Sequence, residues 1–219
     1  MSCILFSRPW HDGTLSYLHH YSKELIEFSK SNRHKTINRE KEQANKKEII
    51  NLIEKQKPDF IMFNGHGSPD IIAGHKNEII ISKENPEVLS DTITYSLTCS
   101  SAQKLGKLVV TKGAICFIGY DDDFNLGKDP NKEASPRRDK IAKLFLEPSN
   151  ILVKSLIEGS NVKKSVEKAK EKMEENIWYL STTKEFPEAQ FYAPFLFGNY
   201  KSLVTHGQNE ASISNSPSL

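Results

Sequence analysis

Short apolar runs alternate with amphipathic segments along most of this chain. Apolar residues that recur at steps of three and four are typical of helices, whereas short apolar runs ending at turn residues are typical of buried strands. The runs predict strands over residues 3–7, 59–63, 92–97 and 114–118. The amphipathic segments predict helices over about residues 15–30, 40–55 and 101–111. Strands and helices in alternation predict an α/β fold with a mostly parallel sheet that helices cover on both faces.

The segments between and after these elements are less regular. A short edge strand is expected around Lys35-Thr36-Ile37, and two apolar triplets at 71–73 and 79–81 predict a hairpin. Residues 121–138 carry three consecutive aspartates, a glycine and two prolines, which predicts a long exposed loop.

The C-terminal third predicts helices and one more strand. Helices are expected over about residues 139–146, 150–158 and from Asn161 to about 180. Phe191 to Phe197 is the expected last strand, near a sheet edge because Pro194 cannot donate to a ladder. We therefore expect one domain over residues 1–205, followed by a flexible tail rich in Ser and Asn over residues 206–219.

Composition excludes several classes of protein. Apolar residues make up 37% and charged residues 26% of the chain, as in a soluble globular domain, and the net charge is only +2. The lysine-rich helical segments interleave Glu with Lys, so we expect no nucleic-acid partner. Three cysteines with no paired spacing predict a reducing compartment, and with neither a signal peptide nor a membrane span the expected location is cytoplasmic, off the membrane. No Cys/His cluster has metal-ligand spacing and no phosphate-binding loop is present, so no metal and no cofactor are expected.

Two of the predicted strands end at reactive side chains. The strand at 59–63 runs into Asn64-Gly65-His66-Gly67, and the strand at 92–97 runs into Thr98-Cys99-Ser100-Ser101. The carboxyl ends of neighbouring parallel strands lie side by side, so His66 and Cys99 are expected to face each other. A histidine next to a cysteine is the arrangement that a thiol nucleophile needs. A helix beginning near Ser100 or Ser101 would also lower the pKa of the Cys99 thiol.

The glycines beside His66 fit the same chemistry. Without side chains at Gly65 and Gly67, the backbone can turn sharply and a substrate carbonyl can approach closely. The amides of Gly67 and Cys99 are candidates for an oxyanion hole, and His66 is the candidate general acid and base.

The other cysteines and histidines are weaker candidates. Cys116 lies in the middle of a strand and is expected in the core, and Cys3 opens a strand with no basic partner in view. His75 falls in a turn and is expected to be exposed, while His19 and His20 are expected on a helix surface.

The two motifs resemble those of the caspase-like cysteine peptidases of clan CD. Asn64-Gly65-His66-Gly67-Ser68 followed by Thr98-Cys99-Ser100-Ser101 is closest to the pattern of CHAT domains, separase and the gingipain-like peptidases. Gly159 to Val162 and Phe191 to Gly198 are also similar to CHAT segments, so the resemblance extends over roughly residues 1–205. It implies a caspase-like three-layer α/β/α sandwich and a cysteine endopeptidase acting on proteins or peptides. It also implies a catalytic dyad of His66 and Cys99, with Gly67 in the oxyanion hole, and an activating or regulatory protein partner.

Specificity is where the chain departs from this pattern. Tyr120 follows the strand where relatives usually carry a Trp, and Leu97 stands where several relatives have the acidic residue that selects Arg or Lys. Asp121, Asp122 and Asp123 come just after the neighbouring strand and are the alternative candidates for binding a substrate guanidinium. Cleavage after Arg or Lys is thus a hypothesis, and a solvated acidic loop is the equal alternative. Under the same hypothesis, Pro136-Arg137-Arg138 is a candidate self-cleavage site.

Two other kinds of protein fit the same sequence features. One is a catalytically silent caspase-like module that uses the sheet edge only for binding. The other is a flavodoxin-like domain that binds a small anion or nucleotide, with Ser100 and Ser101 cradling it at a helix N-terminus.

Overall fold

The computed structural model describes residues 1–185 and 188–213, and within these ranges it contains nine strands and seven α-helices. The strands are β1 (Cys3–Arg8), β2 (Lys35–Glu40), β3 (Phe60–Asn64), β4 (His66–Ser68), β5 (Ile71–Ala73), β6 (Ile79–Ser82), β7 (Ile93–Leu97), β8 (Cys116–Tyr120) and β9 (Leu203–Gly207). The helices are α1 (Gly13–Tyr21), α2 (Lys23–Ser31), α3 (Lys46–Gln56), α4 (Leu105–Thr111), α5 (Lys140–Ile157), α6 (Val162–Thr182) and α7 (Ala189–Ser202).

Six of the strands form one central sheet in the order β2-β1-β3-β7-β8-β9. The first five are parallel to their neighbours, and β9 pairs antiparallel with β8 at one edge. Strands β4, β5 and β6 form a separate small antiparallel sheet. The chain thus passes from the end of β3 directly into this small sheet, and it returns to the central sheet at β7.

Alternate residues of the central strands face opposite layers of helices. Ile4 and Phe6 of β1 belong to a large core formed with α1, α2, α5, α6 and α7, whereas Leu5 belongs to a second core. That second core packs Ile49 and Ile53 of α3, together with α4 and the small sheet, on the other face. The predicted three-layer α/β/α sandwich with a mostly parallel sheet is therefore confirmed.

Several helices differ from their predicted bounds. The segment predicted as one helix over residues 15–30 is split at Ser22 into α1 and α2. The two helices predicted at 139–146 and 150–158 form the single helix α5, which contains Pro148. The predicted edge strand and hairpin are present as β2 and as β5 with β6.

The prediction of a last strand at Phe191 to Phe197 is wrong, because this segment lies inside α7. Ala189, Ala193 and Leu196 recur with helical spacing and are buried, whereas Phe191 and Phe195 are exposed. The aromatic content and Pro194 suggested a strand, but the small apolar residues determine which face packs. Among the residues that the structure describes, the last strand is instead β9. The similarity of residues 191–198 to a CHAT strand therefore does not extend to their structure.

The predicted division of the chain at residue 205 stays a prediction, and the structure describes the residues on either side. Strand β9 crosses this position, and the carbonyl of Ala211 accepts a hydrogen bond from Val162 at the start of α6. Ile213 is buried, and the rest of the predicted tail lies outside the described residues. Within the described ranges, no helix has both the length and the apolar character needed to cross a bilayer.

Candidate active site

The fold places the two predicted motifs at the same edge of the central sheet. Strands β3 and β7 are neighbours, and Asn64, the last residue of β3, is in register with Leu97, the last residue of β7. His66 follows Asn64 by one glycine and Cys99 follows Leu97 by one threonine. The order of the strands therefore brings the histidine and cysteine segments together, as predicted.

The two segments approach so closely that Gly67 has no room for a side chain. A Cβ on Gly67 would lie 2.8 Å from the Cys99 carbonyl oxygen and 2.7 Å from Thr98 Oγ1. A Cβ on Gly65 would lie 2.2 Å from the Ala73 carbonyl oxygen in the small sheet. Both glycines are thus required by close backbone packing, which brings the chain at His66 against the chain at Cys99.

Asp12 is the residue that orients His66. His66 Nε2 lies 2.6 Å from Asp12 Oδ2, a distance typical of a charge-assisted hydrogen bond. The other carboxylate oxygen, Asp12 Oδ1, accepts from the Leu15 amide at 2.8 Å and so caps α1. Burial acts to raise the pKa of Asp12, but the hydrogen bonds from His66 and Leu15 outweigh it and the net pKa is lowered. The carboxylate is therefore ionised at neutral pH, and His66 carries a proton on Nε2.

A buried polar cluster fixes α1, and with it Asp12, to the end of β3. Asn64 Nδ2 donates to the Leu18 carbonyl at 3.1 Å and to Ser22 Oγ at 2.9 Å. The Arg8 guanidinium is almost fully buried, donates to the same Ser22 hydroxyl at 2.9 Å and pairs with Glu40 at 3.0 Å. Helix α1 is thus held to the β3–β4 segment near both of its ends, so the Asp12–His66 pair rests on a rigid frame.

Cys99 is partly buried, and its environment favours the neutral thiol. Its Sγ donates to the Phe124 carbonyl oxygen at 4.0 Å, a weak contact. Burial raises the pKa of Cys99 above its ordinary value, the Phe124 hydrogen bond opposes this, and the negative charges of Asp123 and Asp122 raise it further. The prediction that a helix N-terminus lowers this pKa is wrong.

The reason lies in the turn that follows Cys99. Ser100 adopts a left-handed backbone with φ of 53°, which is unusual for a residue other than glycine. Its amide donates to the Asp122 carbonyl at 3.0 Å and its hydroxyl to Asp123 Oδ1 at 2.8 Å. Helix α4 begins only at Leu105 and is seven residues long. The chain after Cys99 is therefore tied to the acidic loop, and it does not present the first turn of a helix to the thiol.

Hydroxyl groups behind the cysteine bond to one another. Thr98 Oγ1 donates to Ser101 Oγ at 2.8 Å, and Ser101 Oγ donates to Ser96 Oγ at 3.0 Å. Ser101 is fully buried and Ser100 nearly so. Because both hydroxyls are engaged inside the protein, they do not form the open anion cradle that the flavodoxin-like alternative requires.

The three aspartates of the acidic loop differ in their positions. All three are exposed, so none is the buried carboxylate expected for a guanidinium pocket. Asp122 and Asp123 lie beside Cys99 and Ser100, whereas the Asp121 amide donates to the Ser202 carbonyl at the end of α7. Two of the three candidate substrate-binding residues are therefore near the thiol, and their role stays a prediction.

The proposed self-cleavage segment is only partly accessible. Arg137 and Arg138 are exposed, but the segment Pro136–Arg138 forms a 3₁₀ turn. The next residue, Asp139, is buried and accepts hydrogen bonds from the Ile141 and Ala142 amides at the start of α5. Cleavage there would require this turn to open, and it stays a prediction.

Cys116 lies in the core as expected, whereas none of His19, His20 and His75 is as exposed as expected. Cys3 and Cys116 are buried, and burial raises the pKa of Cys116 to about 12. His19 was expected on the surface but is buried, with Nδ1 lying 3.3 Å from the Arg8 carbonyl oxygen. His75 was expected to be exposed but is only partly so, because its ring packs edge-on against His11 with 5.3 Å between centroids.

A scan against protein-family models and a search of curated proteins found no match. Among solved structures, the chain is similar to the Arg-specific cysteine proteinase gingipain R, with a TM-score of 0.60 and 10% sequence identity. The similarity covers 96% of this chain and 46% of the gingipain R chain, so this chain spans about half of that protein's length. This likeness shows the caspase-like fold alone. The structural likeness agrees with the sequence resemblance to clan CD, but it does not bear on the resemblance to CHAT domains or separase.

Proposed function

We propose that this protein is a cysteine endopeptidase in which Cys99 is the nucleophile and His66 the general acid and base. The observation that carries the proposal is the charge-assisted Asp12–His66 hydrogen bond at the sheet edge where a partly buried cysteine follows the neighbouring strand. The similarity to the fold of a cysteine proteinase supports the same class of reaction. Cytoplasmic location and a regulatory partner remain part of the proposal on the grounds given above.

In the proposed mechanism, Cys99 Sγ forms a bond to the substrate carbonyl carbon, and its proton passes to His66. Because Asp12 holds the imidazole proton on Nε2, the lone pair of Nδ1 is the base. The raised thiol pKa means that the resting cysteine is protonated, so proton transfer accompanies attack and no thiolate waits in the free enzyme.

The tetrahedral intermediate then collapses to a thioester. The imidazolium of His66 gives its proton to the leaving amine, and a water molecule hydrolyses the thioester with His66 again as base. The amides of Gly67 and Cys99 would stabilise the negative oxygen of each intermediate. Asp12 is a positioning residue, since it acts through His66.

The proposed substrates are proteins or peptides with Arg or Lys before the scissile bond. The neighbouring fold is that of an Arg-specific proteinase, and Asp122 and Asp123 lie beside the nucleophile. Exposed carboxylates attract a substrate cation only modestly, so we expect the enzyme to prefer Arg or Lys before the scissile bond but not to require them. A combinatorial fluorogenic peptide library tests this, and cleavage only after Asp or Asn would contradict it.

The dyad is tested by substitution with a matched cysteine control. We expect Cys99→Ala and His66→Ala to lose peptide hydrolysis, while Cys116→Ala, which changes a buried cysteine in the same sheet, keeps it. Circular dichroism and thermal unfolding of each variant establish that the fold is retained. Hydrolysis by Cys99→Ala at the wild-type rate would refute the proposal.

A labelling experiment distinguishes the enzyme from a silent binding module. A peptide with a thiol-reactive electrophile at its C-terminus should modify Cys99 in the wild type, as located by mass spectrometry. Modification should be lost in His66→Ala if the histidine takes the thiol proton. Absence of any Cys99 labelling, together with tight binding of the same peptide, would instead favour the silent module.

A further inference from the structure

Three potential metal ligands converge at the site although they are far apart in sequence. One ligand atom each from His11, Asp12 and His66 lies within 4.8 Å of the other two. His66 Nε2 is 2.6 Å and His11 Nε2 is 3.8 Å from the same carboxylate oxygen, Asp12 Oδ2. We infer that these three side chains form a Zn²⁺ site, and that Zn²⁺ bound there inhibits the enzyme by occupying His66.

The distances suit one ion held between the three groups. Zinc binds imidazole nitrogen and carboxylate oxygen at about 2.0–2.2 Å in tetrahedral geometry, which separates neighbouring ligand atoms by roughly 3.3 Å. The observed separations of 2.6 and 3.8 Å lie on either side of this value, so small side-chain rotations would complete the site. A fourth position would be taken by water.

The ligands are also accessible and held in place. The side chains of His66 and Asp12 are 39% and 37% exposed, and that of His11 is 15% exposed, so an ion can enter from solvent. Asp12 is fixed by its cap on α1, and His11 Nδ1 accepts from the Lys76 amide at 3.1 Å. The hydrogen bond from Lys76 holds the His11 ring beside Asp12 before an ion binds.

The bond to Lys76 also decides which nitrogen of His11 meets the ion. Because Nδ1 accepts a hydrogen bond from the Lys76 amide, Nε2 carries the proton of the neutral ring, and Nε2 faces Asp12 and Asn77. Coordination through Nε2 therefore requires the ring proton of His11 to move from Nε2 to Nδ1, since a neutral imidazole keeps one proton. The hydrogen bonds to Asn77 and from the Lys76 amide are then both broken, a cost that zinc binding must outweigh.

The donor set favours zinc over the common hard cations. Two imidazoles and one carboxylate with an open position match zinc, whereas Ca²⁺ and Mg²⁺ prefer sites made of oxygen ligands. The ligands come from the loop after β1 and from the first residue of β4. Local spacing in the sequence therefore could not reveal them, and this is why no metal site was expected.

Inhibition follows from the single proton that a neutral imidazole carries. If Zn²⁺ takes Nε2 of His66, the ring proton resides on Nδ1, and Nδ1 can no longer accept the Cys99 proton. Zinc also engages Asp12, which otherwise orients the ring. This consequence rests on the proposed peptidase function, whereas the binding of zinc does not.

The binding is tested first in Cys99→Ala protein, which cannot turn over substrate and lacks the thiol as a competing ligand. Isothermal titration with ZnCl₂ should show one equivalent bound per chain, and Co²⁺ should give the visible absorption of a four-coordinate site. Adding His11→Gln should weaken zinc binding about tenfold or more. Adding His20→Gln, at a histidine of α1 outside the cluster, should leave it unchanged.

Three binding results would overturn the inference: no zinc bound by Cys99→Ala protein, no weakening by His11→Gln, or equal weakening by His20→Gln. The inhibition is tested in the wild type, where zinc should abolish peptide hydrolysis and EDTA should restore it. His11→Gln should hydrolyse peptide at the wild-type rate but tolerate about tenfold more zinc. Zinc bound with no loss of hydrolysis would overturn the inhibitory role, whereas zinc bound by a protein with no hydrolysis at all would refute the proposed function alone.

Discussion

Replacing Asp12 with Asn tests how much the carboxylate contributes through His66. Asn retains the size of Asp and is an equally good helix N-cap, so its Oδ1 can still accept from the Leu15 amide. The amide NH₂ then occupies the position of Oδ2, 2.6 Å from His66 Nε2 in the wild type. An NH₂ group can only donate there, so Nε2 must give up its proton and Nδ1 becomes the protonated nitrogen. Asp12→Asn therefore places the histidine in the wrong tautomer for taking the Cys99 proton.

The size of the effect follows from the bond that is lost. A hydrogen bond to a charged group contributes about 1.5–3 kcal/mol net, and about 1.4 kcal/mol corresponds to a tenfold change in rate. Both side chains are more than a third exposed, which places the contribution towards the lower end of this range. We expect kcat for peptide hydrolysis to fall about 10- to 100-fold, with KM little changed because Asp12 acts through His66.

The assay is steady-state hydrolysis of the best library peptide by wild type, Asp12→Asn and Asp12→Ala, with a thermal unfolding curve for each. Asp12→Ala should lower kcat similarly and should also lose about 1 kcal/mol of stability, because alanine cannot cap α1. Asp12→Asn should unfold within a few degrees of the wild type. A wild-type kcat in Asp12→Asn would refute the role of the carboxylate in positioning His66. A fall in kcat accompanied by a large loss of stability would show that the carboxylate has only a structural role.

Two further predictions concern the thiol and the glycine beside the histidine. Asp122 and Asp123 raise the pKa of Cys99, so the double variant Asp122→Asn/Asp123→Asn should be alkylated by iodoacetamide about two- to fivefold faster at pH 7.5. The control variant Asp121→Asn should be alkylated at the wild-type rate. An unchanged rate in the double variant would show that the acidic loop does not control the reactivity of the thiol. Gly67→Ala should lose hydrolysis and about 1–3 kcal/mol of stability in denaturant unfolding, because its Cβ would lie 2.8 Å from the Cys99 carbonyl oxygen. The control Gly198→Ala in α7, where the nearest atom to a Cβ is 3.6 Å away, should be neutral or slightly stabilising, and equal stability of the two variants would contradict the packing argument.

The hydrophobic pattern predicted the sheet well because each central strand is a short apolar run buried on both faces. It failed at Phe191 to Phe197, where exposed aromatics resemble a strand but α7 packs through Ala189, Ala193 and Leu196. It also failed after Cys99, where a helix was expected at once. There, Ser100 takes a left-handed conformation that the acidic loop holds through tertiary hydrogen bonds, and no local propensity encodes such contacts.

The site was predictable to the extent that its residues end strands. His66 and Cys99 follow β3 and β7 directly, so the general rule for parallel sheets located them. Asp12 follows β1, which also neighbours β3, but it stands four residues beyond the strand and directly before a glycine, and Asp-Gly is typical of a turn. The available signal was an aspartate at a helix N-cap near the same sheet edge, and only the path of the loop shows that its second oxygen reaches His66.

Asp12 thus couples three properties that separate variants can distinguish. One oxygen caps α1, and the other both orients His66 and faces His11. Asp12→Asn should therefore reduce turnover and zinc binding together while keeping the cap, since an amide is a poor zinc ligand. His11→Gln should reduce zinc binding alone, because His11 faces the shared carboxylate oxygen of Asp12 but does not orient His66. If both variants lowered turnover equally, His11 would belong to the catalytic frame, and its substitution could not separate zinc binding from turnover.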